Sequence, residues 1–496
     1  MSERNTQAVP LFRGRKPKEL RFGTSGLRGL VTDITDLEAY INTKGFLNYL
    51  FALGELKPGD FVSIGGDLRP STDSPERSIL RAVARGVLDS GCRVDYLGKV
   101  PTPALTYWGI LNKRPSIMVT GSHIPFDRNG IKFNKTQGEV LKEDERGILE
   151  AVRKVREEEY SKPSAQSLFQ DDGFFKPGAS PKLPPVNSEC EKVYLERYLK
   201  FFPPHILKGL RVLFYQHSAV GRDLLVELLR KLGAEVIPVG RSDSFVAIDT
   251  EAISEDLLGQ LRTMLQENQR KYGRIDAVVS TDGDSDRPLF LAVTPEGDVR
   301  FYGGDLLGIL VAEYLGADCV VVPISANDAV DLYFAPRGIV PIKTKIGSPY
   351  VIAAMQQARG SRCVAWEANG GFLIGTAIEK DGRTLDPLPT RDSAVVLCSL
   401  LALAKEKGCS VSEIFAVLPD RYSKASLLDG VPQERSAAFI RRFTPKSCSC
   451  LEAVFEGQQV FVTLADGNER QATGPEEKEL THIRDCLLYT SPSPRD

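Results

Sequence analysis

Phe61–Gly98, FVSIGGDLRPSTDSPERSILRAVARGVLDSGCRVDYLG, is the stretch on which the fold turns. An apolar, β-rich run, Phe61–Ile64, enters a Gly/Ser/Asp loop. RSILRAVARGVLDSG then spaces its apolar residues as a helix does, and CRVDYLG returns to a strand pattern. Strand, helix and strand at this spacing make a right-handed βαβ unit. The same grammar occurs twice more. Arg211–Tyr215 precedes the loop QHSAVG, a helix through RDLLVELLRKLG and the strand AEVIPVG; Cys319–Pro323 precedes ISAND, a helix in AVDLYFAPRG and the strand IVPIKT. The chain therefore reads as α/β, with three similar α/β domains built on mixed sheets around a central cleft.

Working outward, Tyr160–Val186 is rich in Pro, Ser and Gly and reads as a linker. The expected domains are 15–160, 186–298 and 299–417, followed at 418–485 by part of a small α+β domain. The closing CLLYTSPSPRD, 486–496, continues neither period and is expected to be a non-native tail. A chain of 496 residues is too long for one core and suggests roughly 3–4 domains. With 42% hydrophobic and 26% charged residues it has the composition of a soluble globular protein. A net charge of −2 without a long basic run argues against nucleic acid as a partner. No run approaches the ~18–20 apolar residues of a membrane span, and the first twenty residues lack the apolar stretch of a signal peptide. Nine scattered cysteines without a CxxC pair read as reduced thiols, so the expected location is cytoplasmic.

Four motifs carry chemistry. In TDGDSDRP, Thr281–Pro288, three aspartates alternate with Gly283 and Ser285 between two apolar strands. Carboxylates this close repel unless a cation offsets them, and oxygen-only ligands favour Mg²⁺ or Ca²⁺. A calcium loop of the EF-hand kind is ruled out, because Arg287 and Val293 stand where it needs Gly and Glu. In VTGSHIPFDRNGIKF, Val119–Phe133, Gly121 is expected to leave the Ser122 hydroxyl exposed. Asn129-Gly130 is read as a turn that folds Lys132 back beside Ser122, with His123 as a titratable neighbour. No GxSxG elbow accompanies this serine, which argues against a Ser-His-Asp hydrolase. RFGTSGLRG, Arg21–Gly29, offers backbone N–H groups and Arg28 to an anion. VAWEANGGFLIG, Val364–Gly375, places Glu367, before Asn369-Gly370-Gly371, either to bond sugar hydroxyls or in a plain hairpin turn. KTKIGSPY, Lys343–Tyr350, adds two cations and a loop nearby in sequence.

These motifs, in this order over about residues 21–395, resemble the α-D-phosphohexomutases, bacterial phosphomannomutase and phosphoglucomutase-like members in particular. The resemblance implies interconversion of hexose 1-phosphate and hexose 6-phosphate, of mannose and/or glucose. The route it implies is a phosphoserine and a bisphosphate intermediate that turns over in the cleft. It implies Ser122 as the phosphoryl carrier. One Mg²⁺ would sit between that phosphate and Asp282, Asp284 and Asp286. Arg28 and Arg287 would lie near the phosphoserine, with Lys132 as proton carrier and His123 beside the serine. Glu367 and Asn369 would read the sugar hydroxyls, and Lys343, Thr344 and Gly347 would form a second substrate loop. A hexose bisphosphate is expected as activator, and the chain as a monomer or weak homodimer. The sequence departs from the family at three places. Gly121 and Ile124 replace residues of the usual TASHNP, and Ala368-Asn369-Gly370 follow Glu367 in the sugar loop. The family's RPSGTEP-like distal phosphate loop has no counterpart after Leu418. A truncated chain is expected from this, and the alternative activity is non-catalytic binding of a sugar phosphate.

Overall fold

The computed structural model describes residues 20–23, 26–75, 77–422, 425, 431–441, 446, 450–456, 459–464 and 467–490. The expected domain start at 15, the Thr24-Ser25 pair of the Gly-rich loop and residues 491–496 lie outside them. Two compact units emerge, 1–423 and 424–496.

The first sheet of the larger unit holds β1 (Arg21–Phe22), β2 (Gly26–Leu30), β3 (Phe61–Gly66), β4 (Arg93–Lys99), β5 (Ser116–Val119), β6 (Arg128–Lys135) and β7 (Gly138–Glu139). Their order is β1-β2-β6-β5-β3-β4, with β7 on β6. β3 runs parallel to β4 and to β5, as the βαβ reading requires, and the rest is antiparallel. Its helices are α1 (Asp36–Leu53), α2 (Ile79–Asp89), α3 (Thr102–Leu111) and α4 (Lys142–Ser161). Thr35 caps α1 by accepting from the Glu38 N–H, and Gly54 ends it in the left-handed conformation at φ 73°.

The second sheet holds β8 (Arg211–His217), β9 (Glu235–Arg241), β10 (Ala277–Thr281), β11 (Pro288–Val293) and β12 (Val299–Phe301), in the order β12-β11-β10-β8-β9. Its helices are α5 (Glu189–Phe201), α6 (Arg222–Lys231) and α7 (Glu255–Tyr272). The third sheet begins with β13 (Cys319–Pro323), β14 (Ile342–Thr344), β15 (Cys363–Trp366) and β16 (Phe372–Ile374). β17 (Ile378–Lys380) and β18 (Arg383–Leu385) make a separate ribbon, and β19 (Leu388–Asp392) rejoins the sheet in the order β14-β13-β15-β16-β19. α8 (Gly304–Leu315), α9 (Ala329–Phe334), α10 (Ser348–Gln357) and α11 (Ser393–Lys407) complete it. These are three α/β domains with mixed sheets.

One continuous apolar core runs through α3, α5, α6, α8, α11 and the facing sides of the second and third sheets. A second core fills the first domain around α1 and α2. The first domain thus leans on the other two through α3, and the loops at the junction hold the site. The segment 162–186 is not a free linker. Phe169 is fully buried, lies edge-on to Tyr40 of α1 at 5.4 Å and stacks on Phe175 at 5.1 Å. Its Pro/Ser/Gly composition hid these aromatic anchors, whose burial is joined by the Phe175 N–H donating to Asp36 and the Leu37 N–H donating to the Gly173 carbonyl.

Within residues 424–496, α12 (Gln433–Arg441), the antiparallel strands β20 (Cys450–Glu456), β21 (Gln459–Leu464) and β22 (Glu469–Gln471), and α13 (Pro475–Thr490) form a small α+β unit. Val460, Val462, Ala472 and Leu480 make its core. The α13 backbone stays helical to Thr490, into a segment where no element was expected. Leu487 and Leu488 are good helix formers and simply propagate turns already made.

Candidate active site

The β10–β11 hairpin closes through the Asp282 N–H bonded to the Arg287 carbonyl at 3.1 Å, and Ser285 takes a positive φ of 59° to make the bend. Asp282, Asp284 and Asp286 are fully buried, with one oxygen from each lying within 4.8 Å of the others. Burial pushes the Asp282 carboxyl well above the ordinary range, and the charges of Asp284 and Asp286 add to the rise. For Asp284 and Asp286 burial also pushes upward, but Lys132 overcomes it, joined at Asp286 by Arg391 and Arg287, and both carboxyls end low. The Lys132 ammonium donates to Asp284 Oδ2 at 2.7 Å and to Asp286 Oδ2 at 2.9 Å. Asp284 Oδ1 and Asp286 Oδ1 are buried without a hydrogen-bond partner. Orphaned carboxylate oxygens are costly, and a set of hard oxygen donors suits a small divalent cation. The cluster can therefore bind a metal ion.

Ser122 faces this cluster from the end of β5. Its Oγ donates to Asp282 Oδ2 at 2.5 Å and lies 3.3 Å from His123 Nδ1. The structure corrects two expectations here. Ser122 is 1% exposed rather than open, and the positive φ of 53° belongs to Ser122 itself, not to Gly121. Gly121 instead leaves room for Arg69, since a Cβ there would stand 2.5 Å from the guanidinium carbon. Arg69 is buried and donates to the carbonyls of Pro125, Arg128, Ser122 and Ile124, while its Nε pairs with Asp67 at 3.2 Å. Asp67 in turn accepts from Thr120 Oγ1 at 2.8 Å, and the Thr120 hydroxyl oxygen accepts from the Ser122 N–H at 2.8 Å. The serine loop is thus wired from beneath. Phe245 of the second domain stacks on Arg69 at 3.9 Å and reaches the Gly283 backbone, joining the serine loop to the aspartate loop.

Asn129-Gly130 is not a turn. Both residues lie inside β6, and the chain reverses earlier, where the Arg128 N–H bonds the Pro125 carbonyl. The Asn129 amide is spent on Ser71 Oγ and Thr72 Oγ1, and Gly130 lets β2 approach, a Cβ there standing 2.6 Å from the Leu27 carbonyl. Lys132 consequently projects from a strand onto Asp284 and Asp286. Arg28, opposite Gly130 in register, sits among Arg287, Arg391, Asp284 and Asp286; desolvation and the two neighbouring guanidiniums lower its pKa. Burial, then Arg287 and Arg28, holds the His123 imidazole at about 3, so it is neutral near pH 7.

The EANGG stretch is a hairpin loop, with Trp366 of β15 opposite Phe372 of β16. This is the hairpin that the plain turn reading expected. Buried Trp366 anchors the loop, Glu367 pairs with Arg391 at 3.0 Å, and the Asn369 side chain accepts from the Gly371 N–H at 2.9 Å. Thr250 of the second domain donates to the Asn369 carbonyl at 2.8 Å. Lys343, Thr344 and Gly347 are not drawn into the cluster. Lys343 pairs with Asp331 at 2.8 Å, Thr344 bonds the Lys345 carbonyl, and Gly347 precedes α10 at φ 120°. Sequence reasoning missed Arg69, Thr102 and Arg391. Arg69 lay within a quoted loop, and Arg391 was a lone cation in a strand. Thr102 donates to Asp284 Oδ2 at 2.6 Å across 182 residues, a closeness no local pattern announces.

A hydroxyl set against a buried carboxylate triad, ringed by guanidiniums and an ammonium, suits transfer of a strongly anionic group, because such chemistry needs charge neutralised at fixed positions. The comparisons agree. Residues 19–159, 192–295 and 303–422 match the phosphoglucomutase/phosphomannomutase alpha/beta/alpha domains I, II and III. A phosphomannomutase of Salmonella muenchen is 37% identical over 423 residues, covering 85% of this chain and 80% of that one. One from Sinorhizobium fredii is 37% identical over 424 residues, covering 85% and 83%. The crystal structure of a putative phosphomannomutase from Thermus thermophilus superposes with a TM-score of 0.64 at 18% identity, over 96% of this chain and all of that one, which shows the shared fold. The chain belongs to the phosphoglucomutase/phosphomannomutase family of α-D-phosphohexomutases. It is accordingly a phosphohexomutase, an enzyme acting on phosphosugars. Among the described residues no helix is long and apolar enough to cross a membrane.

Proposed function

We propose that this enzyme interconverts hexose 1-phosphate and hexose 6-phosphate, of mannose and/or glucose, by passing the phosphoryl group through Ser122. The observation that carries the reading is the Ser122 hydroxyl bonded to Asp282 at 2.5 Å, against a triad with two orphaned oxygens. In the first half-reaction the free sugar hydroxyl attacks phosphorus on phosphorylated Ser122. The P–Oγ bond breaks, and a hexose bisphosphate results. In the second, Ser122 Oγ attacks the other phosphate of the bisphosphate and takes it back. In each half-reaction one proton leaves the attacking hydroxyl and one returns to the released oxygen, so the chemistry balances.

Asp282, Asp284 and Asp286 would hold Mg²⁺, which when bound supplies positive charge to the phosphoryl oxygens. The chain's own groups do the rest. Arg287 and Arg28 place fixed charge beside the reacting group. His123, neutral, lies 3.3 Å from Oγ beside the serine. Lys132 is held protonated by Asp284 and Asp286, with burial the largest opposing influence. It serves as counter-charge there, and the role of proton carrier applies once that pairing is broken. Glu367 and Asn369 present carboxylate and amide to sugar hydroxyls, and Lys343, Thr344 and Gly347 form a second, outer substrate loop. A hexose bisphosphate would act as activator by phosphorylating Ser122. The non-catalytic alternative is not favoured, since the triad and serine are intact and the relatives at 37% identity are mutases.

The test is conversion of mannose or glucose 1-phosphate to the 6-phosphate with Mg²⁺ and bisphosphate. Ser122→Ala is expected to abolish turnover with an unchanged melting curve. Undiminished turnover in that variant would overturn the reading.

A further inference from the structure

The end of β19 and the start of α11 send polar side chains into three places. Thr390 Oγ1 donates to Glu139 of the first domain at 2.6 Å, and Ser393 Oγ, one residue past the strand, to the Ser285 carbonyl at 2.7 Å. Between them Arg391, 3% exposed, reaches two carboxylates at once. Its Nε donates to Asp286 Oδ2 at 3.1 Å and its Nη1 to Glu367 Oε2 at 3.0 Å. We propose that Arg391 is a positioning residue that couples the sugar loop to the cation site, holding Glu367 by one oxygen and fixing the orientation of Asp286.

The geometry is built for this. Arg391 and Lys132 both occupy Asp286 Oδ2, which leaves Oδ1 without a hydrogen bond, 3.6 Å from Arg287 Nε. On Glu367, Arg391 takes Oε2, and no described residue bonds Oε1, which stays available to a sugar hydroxyl. The arginine stem is fitted to the sugar loop, since a Cβ on Gly371 would lie 2.4 Å from Arg391 Cδ. The two loops also touch directly. Gly370, at φ 84°, has room for no more than hydrogen before Pro288 of the aspartate loop, 3.0 Å from a Cβ built there. A guanidinium presents several donors in one rigid fork and stays charged, so it can bridge two acids that an ammonium cannot span. Arg391 is the cation common to Asp286 of the triad and to Glu367 of the sugar loop.

This deepens the proposed function and rests on its placing of the cation at Asp286 and the sugar at Glu367. The experiment uses the purified full chain and its Arg391→Gln and Arg391→Lys variants. Mn²⁺ and Mg²⁺ binding is measured by calorimetry on metal-free protein, with KM and kcat in the mutase assay. In Arg391→Gln, Asp286 loses the donor that fixes its Oδ2, and metal binding is expected to weaken about tenfold. KM for hexose phosphate is expected to rise about tenfold as Glu367 loses its hold. Arg391→Lys is expected to restore wild-type metal affinity but not KM. Equal or tighter metal binding in Arg391→Gln, or recovery of KM in Arg391→Lys, would overturn the inference. Should Arg391→Gln not fold, the Lys variant alone decides, through the split between metal affinity and KM. If wild-type protein bound neither ion, the proposed function itself would fail, a result distinct from a wild type that binds while the variants do not differ.

Discussion

Replacing Arg69 by methionine removes the floor of the serine loop while roughly keeping its volume. Four backbone carbonyls, those of Ser122, Ile124, Pro125 and Arg128, lose their donors, and Asp67 loses its ion pair inside the fold. Breaking a buried pair by deleting one partner costs about 3–5 kcal/mol. Carbonyls left dry cost about 1–3 kcal/mol each, but Asp67 keeps the Thr72 and Thr120 hydroxyls and water can enter the space, so the terms do not sum. A loss of about 4 kcal/mol is the reasonable expectation, which for a domain of this size lowers Tm by about 8–16 °C. Because Ser122 Oγ is aimed by the same loop, a displacement on the order of 1 Å should also cut kcat about a hundredfold. Arg69→Lys, which keeps the charge but reaches fewer carbonyls, should fall between. Scanning calorimetry and a coupled assay for hexose 6-phosphate measure both quantities. If Arg69→Met melted within about 2 °C of wild type and turned over within twofold, the claim that this clamp holds the serine would be refuted.

Three further outcomes follow from the same geometry. Burial holds the His217 imidazole at about 4 against 6.5 when free, so the unfolded chain binds more protons between those values. Stability should rise with pH across that window and, as pH falls to near 5, should drop by about 2 kcal/mol, removed in a His217→Asn control followed by urea denaturation. Lys132→Met leaves Asp284 and Asp286 facing each other without their ammonium. Its melting temperature in chelator should drop below wild type, and added Mg²⁺ should raise it by more than it raises wild type, because the ion supplies the charge the lysine gave. Asp284→Asn should weaken Mg²⁺ binding about a hundredfold in calorimetry, with little change in secondary structure by circular dichroism.

Much of this molecule was legible in its sequence because its signals are local. The βαβ units announced themselves through strand runs and helical periods that need no knowledge of the rest of the chain, and each forms where its pattern lies. TDGDSDRP was readable for a different reason, since three carboxylates within five residues cannot coexist buried without a cation. The misreadings share a cause as well. Asn129-Gly130 has the composition of a turn, but its amide and its missing side chain were needed for packing across the sheet. Gly121 was taken as the source of backbone freedom, when its role is to make space for Arg69, fifty-two residues earlier. Arg391 could not be singled out at all, because its two partners lie 105 and 24 residues away and only the folded sheet brings them within reach of one guanidinium.

The central claim is that the phosphoryl group rests on Ser122 between its two positions on the sugar. Incubating the full chain with hexose bisphosphate carrying labelled phosphate and Mg²⁺, then mapping the label by peptide mass spectrometry, tests it most directly. The account expects label on Ser122 alone, and expects that label to pass to added hexose monophosphate at least as fast as turnover. Steady turnover with Ser122 unlabelled, or with the label on another residue, would contradict it.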